Sequence, residues 1–253
     1  YNKVNMVSIK SIPKKKDIVT SDRFTQYSKK NLHNKYKYIF RKTKDIIYLW
    51  IGYKITTMLK KQLANFDIIL ASGSPRRQHF FKELDIHFTV DVREIKEVFP
   101  PHLKAQEITN YLAKLKANAF KDIKDSQIVI TSDTIVWKDN RAIGKPKDKQ
   151  DAVKMLQNLS GETHEVFTSV CFSTKNNQKT VYDCTKVQFK ELTIDEIDYY
   201  LNTCRPYDKA GSYGIQDWLG YVGIEKIEGC FFNVMGLPTR LVYSTLLEIA
   251  NSK

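Results

Sequence analysis

The sequence predicts an α/β fold in which helices flank a mixed central sheet. Three observations carry this. Short apolar runs of buried-strand type stand at 67–71 and 127–131. Helical stripes lie at 104–121 and 148–159. Two longer strand candidates, 164–173 and 180–189, are joined through Lys175-Asn-Asn-Gln178. Strands interleaved with helices, together with hairpins, argue for a mixed rather than an all-parallel sheet.

Each element has its own signal. Asp67-Ile-Ile-Leu-Ala71 is the first strand. Ser74-Pro75 follows as N-cap and first helical position, with Phe80, Phe81 and Leu84 on the inner face. In 104–121, Ile108, Leu112, Leu115 and Ala119 form one helical stripe. Gln127 to Thr131 is the next apolar strand. Thr134 to Lys138, the turn Asp139-Asn140, and Arg141 to Gly144 read as a hairpin. Ala152, Met155, Leu156 and Leu159 face inward on the helix 148–159, which Gly161 stops. Thr193-x-x-Glu196 is a capping box opening a helix that runs to about Thr203, before Pro206. A Gly-rich stretch at 211–229 precedes a last helix starting at Pro238.

Composition narrows the class. The 253 residues are 42% hydrophobic and 27% charged, which excludes a wholly disordered chain and a polytopic membrane protein. The best apolar run, Ile46 to Ile55, is well short of the roughly 18 residues a membrane span needs. The net charge of +13 suggests nucleic acid, but its distribution argues against that partner. Residues 1–57 hold 14 of the 41 basic residues and 3 of the 28 acidic ones, a net of +11. Residues 58–253 are near neutral at +2. The basicity therefore belongs to a separate segment. Three readings of it stand: a disordered basic extension, a stretch upstream of a true start at Met58, which is the preferred one, and, as the weakest, a nucleic-acid-binding arm. The second unit is then 58–253. Cysteines 171, 184, 204 and 230 form no C-x-x-C and have no His at ligand spacing, which fits a reducing cytoplasm rather than a zinc site.

Five constellations could carry chemistry. In Ala71-Ser-Gly-Ser-Pro-Arg-Arg77 a buried strand runs into a Ser/Gly turn and a helix N-terminus, where free N–H groups and the helix dipole favour an anion. Ser72 adds a hydroxyl, and Arg76 and Arg77 add permanently charged forks. A bare S-P-R-R is ordinarily just a capped helix; its place after a buried strand favours the anion site. Asp133, at the end of the strand 127–131, faces a cleft and could hold a divalent cation or deprotonate water. Lys145 in Gly144-Lys-Pro146 sits in a tight segment that would fix an ammonium near phosphate. Lys116, on the edge of its helix's inner stripe, either snorkels or points into that cleft. Gln216, in the Gly-rich run 208–216, offers an acceptor and a donor pair matching N3–H and O4 of uracil or thymine. His164 pairs with no nucleophile and reads as a residue that caps or orients a loop.

Taken together and in order, these motifs resemble the Maf family of nucleoside triphosphate pyrophosphatases over about residues 67–250. They are Leu70-Ala-Ser-Gly-Ser-Pro-Arg-Arg77, Leu112-Ala-Lys-Leu-Lys-Ala117, Ser132-Asp-Thr134, Gly144-Lys-Pro-Lys-Asp148, Ser160-Gly-x-x-His164, Asp208-Lys-Ala-Gly211 with Tyr213-Gly-Ile-Gln216, and Gly236-Leu-Pro238. The resemblance implies an elongated fold with a twisted sheet and a deep cleft, similar to inosine triphosphatases and often dimeric. It implies cleavage between the α and β phosphates with a divalent metal, Mg²⁺ or Mn²⁺. Asp133 would be the catalytic carboxylate and, with Glu97, the metal ligand. Ser72, Arg76 and Arg77 would hold phosphate, and Lys116 and Lys145 would neutralise it. The family usually has Asp-Glu where this chain has Lys96-Glu97. Arg76, Thr134 and Gln216 match the members that cleave dTTP and UTP, and a modified pyrimidine nucleotide fits the same contact. The competing implication is a non-catalytic nucleotide-binding regulator of septum formation.

Overall fold

The structure, a computed structural model, describes residues 59–252. The expectations for 1–57 and for a start at Met58 lie outside the described residues. The strands are β1 (Asp67–Leu70), β2 (Thr89–Val90), β3 (Gln127–Lys138), β4 (Arg141–Ile143), β5 (Thr163–Ser173), β6 (Gln178–Phe189) and β7 (Ile224–Glu228). The helices are α1 (Pro75–Glu83), α2 (Gln106–Ala117), α3 (Lys149–Leu159), α4 (Ile194–Cys204), α5 (Trp218–Val222), α6 (Phe231–Val234) and α7 (Thr239–Asn251). The fold is the expected mixed α/β one. Among the described residues, seven strands form an open sheet in the order β2-β1-β3-β5-β6-β7, with β4 pairing the far part of β3. β1 runs parallel to β2 and β3; the other pairs are antiparallel.

Local chemistry sets several boundaries. Asp148 caps α3 by accepting from the Asp151 N–H at 2.8 Å. Gly161, at φ 71°, turns the chain out of that helix into β5. Both halves of the capping box at Thr193 and Glu196 are made. Asp139 and Asn140 take positive φ and close the β3–β4 hairpin, as their residue types favour.

Helices cover both faces of the sheet. On one face, Ile128, Ile130, Val170 and Phe172 meet Phe80 and Phe81 of α1 and Val242 and Leu246 of α7. On the other, Ile135 and Phe167 meet Ile108 and Leu112 of α2. A further core joins Val136, Val166, Val187 and Phe189 to Leu156 and Leu159 of α3 and Ile197 and Tyr200 of α4. Fully burying a side chain such as Phe81 or Leu156 contributes roughly 1.5–3 kcal/mol.

Four expectations change. Residues 127–138 are one strand, not two, because β5 pairs it residue for residue from Val129↔Ser173 to Trp137↔Glu165. The second helix ends at Ala117, so Ala119 lies beyond it. Met155 is only half-buried, on the rim of the α3 stripe. The stretch 211–229 holds a 3₁₀ turn at Ala210–Ser212, α5 and β7.

Candidate active site

The site begins at a gap in the sheet. β1 pairs β3 only as far as Leu70↔Ile130, and β4 takes up the same edge at Val136↔Ile143. Between them, 131–135 has no strand neighbour on that side among the described residues. This corrects the placement of Asp133 at a strand end. It sits inside β3, beside the gap left where the neighbouring strand stops. The alternation of side chains then divides the chemistry between the two faces. Asp133 shares the face of Ile135 and α2, whereas Ser132 and Thr134 share the face of Ile130 and α1.

On the α2 face, Lys116 reaches the sheet. Its Nζ lies 2.7 Å from Asp133 Oδ1 and 3.2 Å from Glu97 Oε1. Asp133 is 7% exposed, and Lys116 is the cation paired with it. Thr131 Oγ1 donates to the Ala113 carbonyl at 2.7 Å and pins α2 in this register. Lys116 turns its ammonium inward to these two carboxylates rather than snorkelling to solvent. Two carboxylates converging on one ammonium also form a cation-receptive pair. Among the described residues no group of three or more His, Cys, Asp and Glu gathers, so protein ligands alone would not fill a coordination sphere. Mg²⁺ needs no more, since it commonly takes one or two carboxylates and completes its shell with water and phosphate oxygens. Glu97 and Asp133 therefore fit such an ion.

On the α1 face the anion-receptive end is open. Ser74 occupies the N-cap position, but its side chain makes no capping bond. The first helical bond runs from Gln78 N–H to the Ser74 carbonyl at 3.1 Å, leaving the N–H groups of Arg76 and Arg77 without helical acceptors. Ser72 Oγ accepts from Ser74 N–H at 3.3 Å and from Arg77 at 3.4 Å, so its own proton is unspent.

Arg77 is engaged by the protein itself. It donates to the Gly236 carbonyl at 2.8 Å, the Ser132 carbonyl at 2.9 Å and Thr134 Oγ1 at 3.0 Å. It thereby ties α1 to the open edge of β3 and to the turn before α7. Burial lowers its pKa to about 10, with Asp133 opposing that effect, so it stays charged at neutral pH. Thr168 donates to the Asn233 carbonyl, which fixes the direction of the Thr134–Thr168 bond: Thr134 donates at 3.0 Å. The Thr134 hydroxyl therefore has a donor and an acceptor within the protein. Arg76 is less committed, donating to the Met235 carbonyl at 3.2 Å and to Asp208 at 3.4 Å.

That Arg76–Asp208 contact brings in the run 208–216. Gly211 N–H donates to the Gly144 carbonyl at 3.0 Å, which joins the same run to the Lys145 segment. Lys145 is exposed and makes no hydrogen bond or ion pair among the described residues. Gln216 Nε2 donates to Asp217 Oδ1 at 3.0 Å, while its buried Oε1 has no partner among the described residues. Sequence reasoning gave no role to Asp208, Lys209, Asp217 or Tyr200. The first two lie within a motif it quoted, and only the fold brings Tyr200 beside Gly214.

His164 is a β5 residue, inside the strand expected over 164–173. It is 1% exposed in β5, and its Nε2 lies 2.6 Å from Tyr213 Oη. Phe189 and Tyr213 pack edge-on to its ring at 5.1 and 5.3 Å. Burial, with a smaller push from Lys138, lowers its pKa to about 4. The stability this neutral imidazole contributes is complete above the ordinary value of 6.5 and is lost as pH falls toward about 4. Between pH 6.5 and 5 we expect it to cost about 2 kcal/mol of unfolding free energy. Urea titrations of the wild type and His164→Gln would measure this: the variant should show a shallower pH slope, and equal slopes would contradict the assignment.

Fold and site together define an α/β protein with an anion-receptive helix end beside a carboxylate–ammonium cluster. The Maf-like protein family model matches residues 67–249, and the chain belongs to that family. Similar proteins include the dTTP/UTP pyrophosphatase of Christiangramia forsetii, 57% identical over 196 residues, covering 77% of this chain and all of the relative. That of Flavobacterium johnsoniae is 54% identical over 193 residues, 76% of this chain and 100% of the relative. That of Porphyromonas gingivalis (strain ATCC 33277) is 44% identical over 194 residues, 75% and 98%.

Proposed function

We infer that this chain hydrolyses dTTP and UTP to the nucleoside monophosphate and pyrophosphate, clearing them from the nucleotide pool. The observation that carries the reading is the convergence, at one gap in the sheet, of the Asp133–Lys116–Glu97 cluster and the open N-terminus of α1. The names of the relatives support the substrates.

A triphosphate brings about four negative charges, and the site must neutralise them as the leaving group departs. Ser72, Arg76 and the first-turn N–H groups of α1 hold phosphate oxygens, with Arg77 bracing that wall. Lys116 and Lys145 supply ammonium charge. A divalent cation held by Glu97 and Asp133, Mg²⁺ or Mn²⁺, would add Lewis-acid neutralisation. Asp133 takes a proton from water. The water oxygen bonds to the α-phosphorus, the bond to the α–β bridging oxygen breaks, and pyrophosphate leaves with the electron pair. Gln216 Oε1 accepts from N3–H of the base, and its second amide proton reaches O4; Thr134 supports the wall behind the phosphates. No helix among the described residues is long and apolar enough to cross a membrane. The four cysteines are free, which suits the cytoplasmic setting of this reading.

Product analysis on dTTP tests the bond cleaved. Monophosphate and pyrophosphate should appear in equal amounts. Diphosphate with orthophosphate would overturn the assignment.

A further inference from the structure

We propose that Asp217 is a positioning residue that sets the base preference, by fixing which way round the Gln216 amide faces. The inference rests on the reading that Gln216 meets the base.

A glutamine amide is nearly symmetric in shape, and rotating it by half a turn exchanges its oxygen and nitrogen. One orientation presents an acceptor to N3 and a donor to the neighbouring exocyclic group, which suits uracil and thymine. The other presents a donor to N3 and an acceptor beside it, which suits cytosine. A free glutamine therefore reads either base, and selectivity requires something that holds the amide.

Asp217 is placed to do so. Its Oδ1 accepts from Gln216 Nε2 at 3.0 Å. A carboxylate has only lone pairs to offer, so the rotated amide would set Oε1 against it with no proton between them. Asp217 is itself held. Tyr200 Oη donates to Oδ2 at 3.0 Å, and Lys209 Nζ lies 3.7 Å away. The Tyr200 oxygen accepts from Gly214 N–H at 3.0 Å, which leaves its single proton for Asp217. Burial raises the pKa of this phenol, so that proton stays in place. The backbone makes room for the arrangement at Gly214. A Cβ there would lie 2.6 Å from both Gln216 Nε2 and Asp217 Oδ2. With Nε2 engaged, Gln216 Oε1 is a buried acceptor with no partner among the described residues, so the acceptor is the unsatisfied atom of the amide.

The test compares kcat/KM for UTP and CTP in the wild type, Asp217→Asn and Tyr200→Phe. Asparagine is nearly isosteric but can donate as well as accept, so both amide orientations become tolerable. The UTP-over-CTP ratio should fall by at least about tenfold, the scale of a lost hydrogen-bond discrimination. Tyr200→Phe should lower the ratio in the same direction, which keeps the test valid if Asp217→Asn does not fold. In a Gln216→Ala background neither change should move the ratio further. A merely structural role would lower activity on both substrates and leave the ratio unchanged, and that result would overturn the proposal. A wild type with no UTP preference would instead overturn the reading of Gln216 on which it rests.

Discussion

Asp133→Asn lowers turnover on dTTP and UTP by at least about 100-fold, the usual scale for a lost general base. The substitution keeps shape and removes charge. It takes away the carboxylate that is 2.7 Å from Lys116 and could take a proton from water. The fold should survive, because Lys116 retains Glu97 at 3.2 Å and its ammonium is not stranded. The expected signature is therefore a folded protein with an unfolding midpoint near that of the wild type and very low turnover. A folded variant with near wild-type activity would remove Asp133 from the chemistry.

Arg77→Met has the other large expected effect, and it falls on stability as well as activity. The guanidinium bridges three otherwise separate pieces: α1, the unpaired edge of β3 at Ser132, and the turn at Gly236. Methionine fills much of the volume but leaves the Ser132 and Gly236 carbonyls without that donor. Hydrogen bonds to a charged group are worth about 1.5–3 kcal/mol each and do not add fully. A loss of about 3 kcal/mol or more in unfolding free energy is expected, measured by urea titration. Arg77→Lys should recover part of it, since an ammonium keeps the charge but cannot span the same acceptors. A methionine variant within about 1 kcal/mol of wild type would show that the three pieces hold together without the brace.

Most of the site was legible because its residues lie in short runs bound to recognisable structural transitions. Ser72, Arg76 and Arg77 follow a buried strand, and Lys116 sits on the rim of a clear helical stripe. Asp133 was misplaced along its strand for a physical reason. Thr131-Ser-Asp-Thr134 is polar and reads as a break, yet Thr131, Asp133 and Thr134 find partners only the fold supplies: the Ala113 carbonyl, Lys116, Arg77 and Thr168. The bracing contacts of Arg77 were not legible, because its acceptors, two carbonyls and the Thr134 hydroxyl, are distant in sequence. α5 and α6 are too short to show a period, and β7 is a largely exposed edge strand with charged residues at three of its five positions. His164 was legible as a strand residue, but its buried bond to Tyr213 was not, because that partner lies 49 positions away.

The most direct measurement is pyrophosphate release by the full chain with Mg²⁺ or Mn²⁺ over dTTP, UTP, CTP, ATP, GTP and methylated nucleotides. Turnover of dTTP and UTP above all others is the predicted result. A folded protein that binds these triphosphates and releases pyrophosphate from none of them would contradict it.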